Sequence, residues 1–205
     1  MYLKNKKILL VIAGGISAYK ALDLIRLLKK GEAEIKTILT KGGKEFVTPL
    51  SIASLTGNKP FENIFDVNNE SEIDHISLSR WADIILVSPT TANFMAKLNY
   101  GKADDLASTV LLASNKDIFL IPAMNVRMWL NKATQRNIKN LLDFGYKFIG
   151  PVSGEMACGE YGEGKMSSPR QIFSTLNLYF KNKDLVKKNK IKALVTTGPT
   201  REYLD

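Results

Sequence analysis

Lys7-Ile8-Leu9-Leu10-Val11-Ile12-Ala13-Gly14-Gly15-Ile16-Ser17-Ala18-Tyr19-Lys20 is the stretch whose reading decides the fold. Residues 7–13 form a continuous apolar, β-branched run, the pattern of a strand buried on both faces of a parallel sheet. Gly14-Gly15 breaks the run. Ala18, Ala21, Leu22, Ile25 and Leu28 then recur at helical spacing up to Gly31, a helix stop. Strand, glycine turn and helix open a βαβ unit. The helix N-terminus offers free N–H groups and the positive end of a dipole, which suits a phosphate. The loop lacks the G-x-G-x-x-G spacing of a dinucleotide site, so a single phosphate is the better expectation. On this loop alone, a tight turn without a ligand stays open.

The pattern repeats along the chain. Residues 35–39 read as a strand ending at Thr40, and 49–55 as a short helix. Residues 57–72 are polar and turn-rich, an excursion. Residues 82–88 are another buried strand, running into Pro89-Thr90-Thr91-Ala92-Asn93. Helices are expected at 91–99 and 103–114, the second opened by Asp104-Asp105. A strand at 118–121 leads into Pro122-Ala123-Met124-Asn125-Val126-Arg127-Met128-Trp129. A helix at 131–144 and a strand at 146–149 follow. Pro169 opens a last helix with Ile172, Leu176, Tyr179 and Phe180 on one face. The alternation predicts an α/β fold: a Rossmann-like, doubly wound parallel sheet in a flavodoxin-like three-layer sandwich.

In such sheets ligands bind at the carboxyl ends of the strands. Four segments lie there: 14–19, 40–46, 88–94 and 122–128. Asn125 offers an amide for a carboxylate or amide ligand, and the Met/Trp set an apolar wall, although each Met or Trp taken singly reads as core. The single histidine, His75, precedes a strand and so lies near the ligand edge. It is either a structural residue or a group that moves a proton near neutral pH. One histidine and one cysteine, with no CxxC, HExxH or Walker A spacing, argue against a metal site. A Cys158–His75 nucleophilic pair would lack a third partner.

That cysteine sits in Ser153-Gly154-Glu155-Met156-Ala157-Cys158-Gly159-Glu160-Tyr161-Gly162-Glu163-Gly164-Lys165-Met166. Five of the chain's 14 glycines fall between 150 and 164, so the segment reads as neither a good helix nor a good strand. It reads as a mobile flap that places Cys158 over a ligand, or as a surface loop with an incidental thiol.

Composition narrows the class. With 45% hydrophobic residues in 205, the chain can bury a large core. It has no apolar run long enough for a membrane span, and the basic N-terminus lacks a signal-peptide core. One cysteine excludes an intrachain disulfide framework and fits the cytoplasm. The net charge of +9 raises nucleic-acid binding, but six lysines fall in 181–192, and a lysine-rich solvated surface accounts for it better. We expect neither nucleic acid nor membrane as partner.

The glycine turn 14–20, the 88–93 segment, the Pro-Ala-Met-Asn segment and the cysteine stretch 157–166, in this order, resemble the homo-oligomeric flavin-containing cysteine decarboxylases over residues 6–181. The resemblance implies FMN as cofactor and 4′-phosphopantothenoylcysteine as the small-molecule substrate, decarboxylated to 4′-phosphopantetheine in coenzyme A biosynthesis. The cysteine moiety would be oxidised to a thioaldehyde, lose carbon dioxide as an enethiolate, and be reduced again to the thiol. By the same resemblance Gly14, Gly15 and Ile16 hold the FMN phosphate, with Ser17 and Thr40 nearby. Thr91, Ala92, Asn93, Phe94, Ala123 and Met124 line the flavin. His75 is the base or charge partner, Asn125 grips the substrate carboxylate, Met156 and Ala157 cover the substrate, and Cys158 donates a proton. A homotrimer with FMN between subunits, or a dodecamer of trimers, is implied as well.

Residues 1–181 are thus expected to be the decarboxylase domain and 182–192 a charged linker. Residues 193–205 resemble the first strand and glycine turn of a ligase domain, a remnant from which no ligase activity is expected; disorder or a stray contact is expected for 182–205. Three other readings remain at this level. One is a peptidyl-cysteine decarboxylase or flavin prenyltransferase of the same superfamily, although the prenyltransferases lack the Pro-Ala-Met-Asn and cysteine-flap pair. The others are a non-catalytic flavoprotein scaffold and a basic nucleic-acid-binding module.

Overall fold

The computed structural model describes residues 1–63, 75–157 and 159–188. Strand β1 (Lys7–Ile12) is an interior strand of a five-stranded parallel sheet with β2 (Glu34–Leu39), β3 (Ile84–Thr90), β4 (Asp117–Pro122) and β5 (Lys147–Phe148), in the order β2-β1-β3-β4-β5. Period-two alternation assigns its side chains. Ile8, Leu10 and Ile12 enter one core layer, and Leu9, Val11 and Ala13 the other. Ile84 and Leu86 against Ile85 and Val87 in β3, and Phe119 and Ile121 against Ile118 and Leu120 in β4, divide in the same way. Both faces are therefore apolar, which is why these strands read as continuous hydrophobic runs.

One face is covered by α1 (Tyr19–Lys30), which follows a 3-10 turn at Ile16–Ala18, together with α3 (Pro49–Thr56) and α9 (Pro169–Lys188); α2 (Lys41–Lys44) is a single turn at the end of β2. The other face is covered by α4 (His75–Trp81), α5 (Ala92–Asn99), α6 (Leu106–Leu112) and α8 (Lys132–Asp143). The short α7 (Val126–Leu130) lies at the carboxyl edge. The sandwich matches the expected three layers. Gly31 ends α1, but with φ −77° it is not a left-handed cap. A Cβ there would lie 3.0 Å from the Phe173 ring, so its smallness serves the packing of α1 against α9.

Three expectations change. The glycine-rich stretch forms an antiparallel hairpin, β6 (Val152–Glu155) with β7 (Tyr161–Lys165), where neither helix nor strand was expected. His75 opens helix α4, so a helix stands between it and the strand it was expected to precede directly. The final helix runs to Lys188, through the first part of the expected linker. There Asp184 pairs with Lys6 at 3.6 Å, and Lys183 with Asp117 at 3.3 Å. The 193–205 remnant and Cys158 lie outside the described residues. In the polar excursion, Phe61 bonds the open edge of β2, through Leu39 N–H to Phe61 O at 2.9 Å and Phe61 N–H to Thr37 O at 2.8 Å. Edge strands are commonly protected by such added backbone. Among the described residues no helix is long and apolar enough to cross a membrane.

Candidate functional site

The strand order reverses direction at β1 and β3, and a crevice opens beyond their carboxyl ends, where doubly wound sheets hold ligands. Two cavities occupy this edge, and the glycine pair separates them. Gly14 lines one of about 530 Å³, and Gly15 lines the other, of about 490 Å³.

The first cavity runs from Gly14 and Thr40 to Thr91, Asn93 and Phe94, with Lys97, Asp104 and Asp105 on its far wall. Its near wall depends on close backbone contact. A Cβ on Gly14 would lie 3.2 Å from the Gly42 carbonyl, and one on Gly43 would lie 2.5 Å from Ile12 O. Thr40 closes this corner: its hydroxyl donates to Ile12 O and accepts from Gly43 N–H, both at 3.1 Å. Its proton is therefore committed to the turn. Thr91 caps α5 by accepting from Phe94 N–H at 3.1 Å, which fixes where Asn93 and Phe94 stand. Ala92, between them, does not line either cavity.

The second cavity gathers Gly15, Ile16, Ser17 and Lys20 from the turn and α1, Ala123, Met124 and Asn125 from the end of β4, and Met156, Ala157 and Lys165 from the hairpin. Thr90 holds β3 and β4 together beside it, donating to Val87 O at 2.7 Å and accepting from Ile121 N–H at 3.0 Å across the bulge. The hairpin is docked onto the Met124–Trp129 segment. Met124 N–H donates to Gly164 O at 3.0 Å, Trp129 Nε1–H to Glu163 Oε2 at 3.1 Å, and Arg127 pairs with Glu160 at 3.6 Å.

Asn125 caps α7, its Oδ1 accepting from Met128 N–H at 2.8 Å. An N–H donor can face only the oxygen of a carboxamide, so the cap settles which way the amide points. What Asn125 keeps for a ligand is its NH₂ group, a donor that suits a carboxylate. Desolvation holds the Lys20 ammonium below the ordinary lysine range, and the Lys165 ammonium pushes it the same way. Lys165 reaches this position across Gly154, where a Cβ would lie 2.9 Å from its Cδ. Two like charges and an amide donor in one cavity make it anion-selective; Glu155 on its rim is exposed.

The residues suit a flavin mononucleotide on structural grounds. Gly15, at φ 122°, has nothing within 4 Å of where a Cβ would stand, so bare backbone faces the cavity. Ile16 and Ser17 open the helical run, where N–H groups have no intrahelical acceptor. The Ser88 hydroxyl, fully buried in β3, has no partner among the described residues, but Ser88 lines neither cavity and carries no part of this fit.

Of the expected site residues, one cavity brings together Gly14, Thr40, Thr91, Asn93 and Phe94, and the other Gly15, Ile16, Ser17, Ala123, Met124, Asn125, Met156 and Ala157. Half-buried His75, at the start of α4, lines neither. Lys20 and Lys165 were not among the expected site residues. Each belonged to a quoted motif, but nothing in the sequence shows that α1 and the hairpin converge. Among the described residues no group of three or more His, Cys, Asp or Glu could hold a metal ion.

A family model described as Flavoprotein matches residues 2–180. The chain is 44% identical over 205 residues to the coenzyme A biosynthesis bifunctional protein CoaBC of Haemophilus influenzae, covering 100% of this chain and 51% of that one. It thus spans about half the length of the curated relatives it matches. Among solved structures it is similar to a PPC decarboxylase variant complexed with pantothenoylaminoethenethiol, with TM-score 0.77 and 30% identity over 87% of this chain and 100% of the other. It is also similar to the FMN-dependent cysteine decarboxylase SpaF, with TM-score 0.74 and 27% identity over 88% and 99%.

Proposed function

The chain belongs to the Flavoprotein family, and on that premise we propose that it binds FMN and decarboxylates 4′-phosphopantothenoylcysteine to 4′-phosphopantetheine in the cytoplasm, as one step of coenzyme A biosynthesis. The observation that carries this reading is the pairing of two cavities across Gly14-Gly15. One has the walls of a mononucleotide site at the switch point of the sheet. The other presents an oriented amide donor and two lysines, matching a ligand with a carboxylate at one end and a phosphate at the other. CoaBC and the ligand-bound PPC decarboxylase agree with that substrate class.

In this reading the bare turn at Gly14, Gly15 and Ile16, between the two cavities, holds the FMN phosphate by backbone N–H groups, while Thr91, Asn93 and Phe94 flank the flavin from the first cavity and Ala123 and Met124 from the second. When bound, the flavin supplies the two-electron acceptor, and later donor, that decarboxylation of a cysteine needs. The Asn125 NH₂ orients the substrate carboxylate so that carbon dioxide leaves from a fixed position. Lys20 and Lys165 hold the phosphate end. Met156 and Ala157, on the docked hairpin, cover the ligand and exclude water. Cys158 follows them in the chain and donates the proton that completes the thiol product. His75 acts as base or charge partner in a site completed between copies of the chain, since FMN would lie at the interface of a homotrimer or of trimers assembled into a dodecamer.

Purified protein should be yellow, and incubation with phosphopantothenoylcysteine should give a product lighter by one carbon dioxide in mass spectrometry. A colourless protein, or substrate recovered intact by yellow protein, would overturn the reading. Cys158→Ser should still release carbon dioxide but stall before the saturated thiol.

A further inference from the structure

Three charged groups on the far wall of the first cavity have no part in the function above. Lys97 lies one helical turn beyond Asn93 on α5, so both face the same side. Its ammonium is clamped, 2.6 Å from Asp104 Oδ1 and 2.8 Å from Asp105 Oδ2. Neither carboxylate is free to turn away. Asp105 uses its other oxygen to cap α6 through Ser108 N–H at 2.8 Å, and Asp104 uses its other oxygen on Lys102 at 2.9 Å. Lys97 is thus a fixed charge on a cavity wall, with its side chain only 20% exposed. Burial works against that charge, but the hydrogen bonds to Asp104 and Asp105 outweigh it and hold the Lys97 pKa above the ordinary lysine value.

The charge count gives the cluster a role. Lys97 and, just outside the lining, Lys102 balance Asp104 and Asp105, while Lys41 and Glu62, which also line the cavity, cancel. Without Lys97 the same wall would present a net negative charge to whatever the cavity holds. An FMN carries a phosphate, and its ring system becomes more electron-rich on reduction. A nearby fixed charge therefore acts on affinity and on reduction potential, more strongly than in bulk water because the site is partly enclosed.

We infer that Lys97, clamped between Asp104 and Asp105, is a positioning residue that sets the charge of the flavin cavity and so tunes flavin affinity and reduction potential; this rests on the proposed binding of FMN. A purely structural tie between α5 and α6 would affect stability alone. The potential separates the two.

The test measures FMN affinity by fluorescence quenching and the midpoint potential by spectroelectrochemistry, for the wild type, Lys97→Gln, Lys97→Arg and Asp104→Asn. Lys97→Gln should weaken FMN binding about tenfold. It should also favour the oxidised flavin about tenfold, a shift of about 30 mV for a two-electron couple. Lys97→Arg should restore both. Asp104→Asn removes a negative charge and should shift the potential in the opposite direction, by less, because Asp104 is more exposed. Wild-type protein that binds FMN while Lys97→Gln leaves potential and affinity unchanged would overturn this inference alone. So would shifts of the same sign in Lys97→Gln and Asp104→Asn. Should Lys97→Gln fail to fold, the sign of the Asp104→Asn shift decides. Wild-type protein that retains no FMN would overturn the flavin reading, and this inference with it.

Discussion

Gly164 and Met124 are joined backbone to backbone: the Met124 N–H donates to the Gly164 carbonyl at 3.0 Å, while a Cβ on Gly164 would stand 2.4 Å from the Met124 carbonyl oxygen. Gly164 holds φ 130°, a region open to glycine and strained for other residues. The contact fastens the hairpin to the segment bearing Asn125. Replacing Gly164 by alanine should lose about 2 kcal/mol of stability from backbone strain alone. It should also displace the hairpin from the substrate cavity, lowering decarboxylation more than tenfold while FMN stays bound. Thermal melts, flavin absorbance and turnover measure the three effects. Full activity in the alanine variant would show that the docking is dispensable.

Asn125 has two duties that substitution can separate. Aspartate keeps an oxygen for the Met128 N–H, so Asn125→Asp should fold as well as the wild type. It loses the NH₂ donor and sets a negative charge against the substrate carboxylate, and kcat/KM should fall by about two orders of magnitude or more, the scale of an unpaired buried charge. Asn125→Ala loses the cap as well, about 1 kcal/mol of stability. An aspartate variant with unchanged kcat/KM would remove Asn125 from carboxylate recognition.

Lys165 depresses the Lys20 pKa through its own charge, after desolvation. A cation with a lowered pKa loses its proton earlier as pH rises, so affinity for an anionic ligand should fall on the alkaline side sooner than an ordinary lysine would allow. Lys165→Gln relieves part of that pressure. The alkaline limb of a KM–pH profile should move upward, while KM near neutral pH rises about tenfold for want of one of the two cations, roughly 1.4 kcal/mol of binding. A profile with an unmoved alkaline limb would separate the two lysines.

Hydrogen bonds from Lys97, then Lys102, hold the Asp104 carboxyl at about 2, below its ordinary 3.8. Burial raises the Asp105 pKa, but its bonds to Lys97 and Ser108 outweigh this and leave it lowered. A depressed carboxylate contributes stability that is fully present above its unfolded pKa and is lost as pH falls through the folded one. The stability gap between wild type and Lys97→Gln should therefore be widest near neutral pH and narrow from about pH 4 towards about pH 2. Urea unfolding at several pH values measures it. A gap independent of pH would mean that Lys97 acts by packing instead of charge.

Much of this protein is legible without coordinates. Strands β1, β3 and β4 are buried on both faces, so residues 8–12, 84–87 and 118–121 are apolar throughout and stand out for that reason. The glycine break after β1 and the helical spacing through Leu28 place the turn, and the carboxyl-edge rule then points to Thr40, Asn93 and Asn125. These are local or topological consequences of residue type. The hairpin is different. Tyr161-Gly162-Glu163-Gly164-Lys165 has low strand propensity, and its glycines read as mobility. In the fold they permit contact: a Cβ on Gly162 would lie 3.0 Å from Val126, and one on Gly164 would strike the Met124 carbonyl. Which distant residue a glycine must accommodate is set by tertiary packing, because a missing side chain carries no pattern of its own. The same holds for Lys20 meeting Lys165, and for Lys97 meeting Asp104 and Asp105. The order of apolar and polar residues determined the layers, the strand ends and the chemistry available there. Only the folded chain decided which charges face one cavity, because that depends on distances between elements far apart in sequence.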